Sequence, residues 1–145
     1  MDAKSIADLG VASCFGFGTL GAIVGMAVNG PAVIGAWKKC ALHKRPVQFI
    51  MVVFAATCLS NMFYSYITMD ALANSTTLGA WKILGLGVFS GLGIGANAFC
   101  QAIVAASAAD AYGETGQNYG QYLIIVGIAE SFALIVMVFV MLIAS

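Results

Sequence analysis

The chain has 145 residues, 61% of them hydrophobic and only 8% charged, whereas an ordinary soluble domain carries about 25% charged residues. Six Lys and Arg balance six Asp and Glu, so this composition excludes a soluble monomer and offers no positive field for nucleic acid. The surrounding medium is lipid.

In chain order, Asp2, Lys4 and Asp8 lead into an apolar run over residues 9–37, which ends at Lys38 and Lys39. Further runs cover 47–69, 83–109 and 122–144. Each has at least about 20 residues, enough for an α-helix to cross a hydrocarbon core roughly 30 Å thick. Four transmembrane helices are expected, in an all-α membrane protein. The first run follows acidic as well as basic residues and is too long for the apolar part of a signal peptide, so it is expected to remain in the mature chain. The polar breaks carry turn chemistry: Pro46 in the first, Asn74-Ser75-Thr76-Thr77 in the second, Gly113, Gly116 and Asn118 in the third. This predicts two helical hairpins, residues 1–72 and 73–145. Lys38, Lys39, Lys44 and Arg45 are four of the six basic residues, which places the first loop in the cytoplasm and both termini outside. Cys14, Cys40, Cys58 and Cys100 show no pairing or metal-ligand spacing and read as small apolar residues.

The hairpins look like a repeat. Gly10, Gly16 and Gly18 recur as Gly79, Gly85 and Gly87 at an offset of 69, and Gly21 and Gly25 recur as Gly91 and Gly95 at an offset of 70. Helices 1 and 3 hold nearly all the glycine, at spacings of four that allow close backbone approach. An inner ring built from helices 1 and 3 of many copies, with helices 2 and 4 outside, accounts for this; ordinary packing inside a monomer is the alternative.

Glu130 is the one charged residue well inside a run, eight residues after Tyr122. Inserting a carboxylate anion at such depth costs about 2.5–3.5 kcal/mol or more, which marks it as functional. Hydrocarbon favours the neutral carboxyl unless a cation balances the charge. Helix 2 carries Thr57, Ser60, Asn61 and Tyr64 three or four residues apart, hence on one face, and helix 3 carries Asn97 and Gln101 in the same way. Counted from turns near residues 44–45 and 115–116, Ser60, Asn61, Gln101 and Glu130 lie at similar depth. Their oxygens suit a hard cation such as Na⁺; the same stripe also reads as hydrogen bonding between helices.

With these features the chain resembles the membrane-rotor proteolipid of V-type and archaeal-type rotary ATPases, the duplicated four-helix form called the K subunit or c-subunit. The resemblance rests on the repeated glycine-rich helices and on a carboxylate kept only in the second hairpin, within Gly127-Ile128-Ala129-Glu130-Ser131-Phe132-Ala133. It implies a homo-oligomeric ring, a stator subunit with an arginine, a central stalk subunit at the cytoplasmic loops, and Na⁺ or H⁺ as the coupling ion in a prokaryotic cell membrane. In sodium-transporting members helix 2 supplies a carbonyl, a hydroxyl, an amide and a tyrosine that caps the carboxylate. The matching positions here are Thr57, Ser60, Asn61 and Tyr64, with Ser in place of Thr, Asn in place of Gln, and no proline before the site. The family's helix 3 glutamine falls on Gln101 by its interval from the glutamate, or near Ile94 and Asn97 by alignment on Ser90-Gly91-Leu92. No Walker A loop appears, so ATP hydrolysis would belong to another subunit, and no catalytic residue is expected here. A small proton-coupled antiporter and a four-span structural protein are the rival readings.

Overall fold

The computed structural model describes residues 2–145. It contains four helices: α1 (Ala3–Leu42), α2 (Met51–Ala73), α3 (Ala80–Thr115) and α4 (Tyr119–Ala144), each long and apolar enough to span a membrane. The all-α membrane fold expected from the apolar runs is the one observed.

The helix limits differ from the apolar runs. At 1.5 Å per residue, α1 and α3 measure roughly 60 and roughly 54 Å, well beyond the thickness of the hydrocarbon core. The runs 9–37 and 83–109 stop at charges, yet Lys38, Lys39, Asp110 and Glu114 are helical. A charge marks where a helix leaves lipid; its backbone ladder continues. Helix α2 begins at Met51 rather than at 47: the residues after Pro46 close first into short-range turns, Met51 N–H to Gln48 O at 3.2 Å and Val52 N–H to Phe49 O at 2.9 Å. The same helix continues past 69 to Ala73, and α4 starts at Tyr119 rather than at 122.

The two hairpin connections contrast. Residues 43–50 join α1 to α2, whereas only Gly116, Gln117 and Asn118 join α3 to α4. So short a link needs left-handed backbone, which Gly116 (φ 67°) and Asn118 (φ 63°) supply. Arg45 lies against Gly116 and the Tyr112 hydroxyl donates to Gln48, so both connections stand at one end of the bundle. At the other end the Ser75 hydroxyl donates to the Ala144 carbonyl at 2.7 Å.

In cross-section the bundle is a rhombus. Helices α2 and α3 touch across its short diagonal, each touches both other helices, and α1 and α4 stand at the far corners without contact among the described residues. The α1/α3 seam is the closest. A Cβ added to Gly91 would stand 2.7 Å from the Cys14 carbonyl oxygen, and one on Gly113 would stand 2.8 Å from Ala36 Cβ, so main chain meets main chain there. Along the seam Gly10 meets Gly87, Cys14 meets Gly91, Gly18 meets Gly95 and Ala36 meets Gly113, all 77 positions apart. That register differs from the offsets of 69 and 70 given by glycine counting. It coincides with a second match in the sequence, Leu9-Gly10-Val11 and Ser13 against Leu86-Gly87-Val88 and Ser90. Glycines spaced by two and four residues align with themselves at several offsets, and the contact register between the helices is a separate quantity from the repeat offset.

Candidate ion site

Near mid-length the core is built from the small side chains Ala22, Cys58, Ala98 and Ala102. Small residues draw the helices together and leave α2 and α3 room to face each other with polar groups. Asn61 and Gln101 are both fully buried, at 0% exposure. Asn61 Nδ2 donates to Gln101 Oε1 at 2.5 Å, and Asn97 Nδ2 donates to Asn61 Oδ1 at 3.0 Å. One helical turn on, the Tyr64 hydroxyl donates to Glu130 Oε1 at 2.6 Å. The three-residue step from Asn61 to Tyr64 thus lets one face of α2 reach α3 and α4 together.

Glu130 and Tyr64 are half-buried, at the edge where α2 meets α4. Thr57 and Ser60 share the face but turn their hydrogens to their own helix: Thr57 Oγ1 donates to Phe54 O at 2.9 Å and Ser60 Oγ to Thr57 O at 2.8 Å. Neither hydroxyl is hydrogen-bonded to Glu130 or to the amides, and each keeps oxygen lone pairs for another partner. Of the two helix 3 alternatives, the side chains that meet Asn61 are Asn97 and Gln101. Ile94 is a buried apolar residue whose Cγ2 stands near Gly18 of α1.

Three buried polar residues escaped the sequence reading, Asn29, Ser65 and Thr68, and of these Asn29 alone carries an amide. Asn29 of α1 is fully buried and donates through Nδ2 to the Phe54 carbonyl, the acceptor that Thr57 also uses. Its only signal was a lone amide in a long apolar run, next to Gly30-Pro31. Among the described residues no three His, Cys, Asp or Glu side chains converge as metal ligands, so the site has one carboxylate among neutral donors. Such a set balances a single positive charge.

A carboxylate at mid-span of a membrane-crossing bundle is costly to keep there, which makes Glu130 and its partners the candidate functional site. Residues 84–143, which take in α3 beyond its first turn and α4 to Ile143, match the family model of the ATP synthase C subunit. The match likens the second hairpin to a membrane proteolipid of the c-subunit kind and supports an ion-translocating rotor subunit. Gln101 and Glu130 fall inside the matched stretch, and Thr57, Ser60, Asn61 and Tyr64 outside it. No curated protein matches the chain.

Proposed function

We propose that the chain is the duplicated, four-helix rotor subunit of a V-type or archaeal-type rotary ATPase, and that Glu130 carries the coupling ion, Na⁺. The observation that carries this reading is the Tyr64–Glu130 hydrogen bond at mid-span, one turn from the Asn61–Gln101 pair. A hydroxyl that donates to the carboxylate holds it in one position, and the oxygens of Thr57, Ser60, Asn61 and Gln101 are within the same stretch of the bundle. An occupied, neutral site can face lipid. An emptied one needs a cationic partner, the role of a stator arginine that competes for Glu130. Moving each charge against 100 mV costs about 2.3 kcal/mol, which ATP hydrolysis on another subunit would supply.

On this reading the loops at residues 43–50 and 116–118 face the cytoplasm, and both termini face outward, in a prokaryotic cell membrane. Lys39 is already bound within the chain, to Asp110 at 2.6 Å and Glu114 at 2.7 Å. The exposed Lys38, His43 and Lys44 are then the groups free to meet an acidic central stalk.

H⁺ is the second reading, and the amides are compatible with it. Asn61 is satisfied by Asn97 and Gln101 without any ion, so burial of the amides does not by itself demand a cation. Carbodiimide labelling separates the two, since the reagent attacks the protonated carboxyl. With Na⁺ as cargo, added Na⁺ at constant pH protects Glu130 from labelling. Labelling that ignores Na⁺ and falls as pH rises assigns the site to H⁺.

A further inference from the structure

We propose that Asn97, Asn61 and Gln101 form one reversible chain of amides, whose direction decides whether Gln101 offers an N–H or a carbonyl oxygen at the ion site. Asn97 is the positioning residue that keeps Asn61 paired in both directions. The proposal rests on the reading of Glu130 as the ion carrier.

In the direction observed, Asn97 Nδ2 donates to Asn61 Oδ1 and Asn61 Nδ2 donates to Gln101 Oε1. What remains over is Gln101 Nε2, buried and without a hydrogen-bond partner. A spare N–H suits a carboxylate or a water and repels a metal cation. A carboxamide carries its donor and its acceptor in nearly the same shape, so a half-turn of all three end groups gives the opposite chain. Gln101 then donates to Asn61 Oδ1, Asn61 donates to Asn97, and the atom left over is Gln101 Oε1, an oxygen ligand. The observed direction turns an N–H to the site and disfavours a metal cation there, whereas the reversed one offers Na⁺ an oxygen.

Asn97 is half-buried, and of the three amides it alone lies off the fully buried interior. Without it, the observed direction leaves an Asn61 oxygen unpaired, and the reversed direction leaves an Asn61 N–H unpaired. Buried N–H groups tolerate this less well than carbonyls, so removal of Asn97 handicaps the cation-bearing direction more.

The test is the Na⁺ concentration that half-protects Glu130 from carbodiimide in membranes holding the whole complex. Asn97→Leu should raise it about fivefold, the worth of one hydrogen bond. Asn97→Asp, an acceptor when ionised, should lower it. Both shifts should vanish in a Gln101→Leu background, which a general effect on folding or on local charge would not do. Native electrophoresis confirms that each variant is assembled, and Asn97→Asp carries the test if the Leu variant is lost. An unchanged midpoint in both variants, or shifts that persist without Gln101, overturns the chain while the rotor reading stands. Labelling indifferent to Na⁺ in wild type and variants alike also overturns it and leaves an H⁺ rotor. Ion transport retained by Glu130→Gln removes the rotor reading itself, and this proposal with it.

Discussion

Helix α3 meets α1 along glycine and alanine, and it meets α2 through the amides of Asn97 and Gln101. Much of the first junction is main chain: Gly87, Gly91, Gly95 and Gly113 bring it against Gly10, Cys14, Phe17 and Ala36. At the second junction side chains meet, Phe54 and Cys58 against alanines of α3 and Asn61 against Gln101 and Asn97. Dispersion and close approach dominate the first, whereas the second adds directional side-chain hydrogen bonds to its apolar contacts. One helix therefore separates cohesion from chemistry by presenting different faces to its neighbours, and the two faces should fail in different ways.

The largest effect should come from the seam. Gly91→Leu would press a side chain onto the Cys14 carbonyl and Cα, which cannot swing aside as a rotamer can. Overpacking of side chains alone costs about 1–3 kcal/mol, and main chain yields less. The variant should fail to accumulate in membranes on an immunoblot, while Gly120→Ala, whose added Cβ meets open space, accumulates normally. Glu130→Gln should produce the opposite pattern, with full accumulation and assembly but no ATP-driven ion uptake into inverted vesicles. A neutral amide of nearly the same shape cannot balance a cation. Uptake at the wild-type rate would place the ion elsewhere.

Tyr64→Phe tests the link between α2 and α4. It removes the donor to Glu130 and little volume, and hydrogen bonds to charged groups are worth about 1.5–3 kcal/mol. A loss of about tenfold in apparent ion affinity is expected, read from the ion dependence of ATP hydrolysis by the complex. The smallest effect belongs to Lys39→Ala. Its pairs with Asp110 and Glu114 join the hairpins, but the side chains are 33%, 53% and 59% exposed. Exposed pairs contribute about 0–1 kcal/mol. A drop of a degree or two in the melting temperature of the purified protein, vanishing at high salt, is the expected outcome.

The four spans were legible because hydropathy needs no partner: a stretch such as 122–144 is apolar whatever packs beside it. Helix ends were not, since Lys38 and Glu114 leave lipid without leaving the helix. The meeting of Asn61 with Gln101 could be anticipated by counting from the turns, because a hairpin ties depth to sequence distance. What depth cannot supply is azimuth. Only the fold shows that Thr57 and Ser60 turn their hydrogens inward to their own carbonyls, that Ile94 faces α1, and that Asn97 rather than a more buried group closes the amide chain. Nor does a repeat offset counted on glycines tell which residues of α1 and α3 touch, since glycine has no side chain to mark which face it occupies.

The α1/α3 seam also has a mechanical consequence. Two rods that touch through their main chains have no soft layer between them, since side chains are what normally bend and shear when helices slide. In the proposed rotor, torque applied at the end bearing residues 43–50 and 116–118 would reach the opposite end with little twist lost on the way. The glycines then act as the shaft's stiffness, so that each carboxylate on the outer helices keeps its angular place while the load changes.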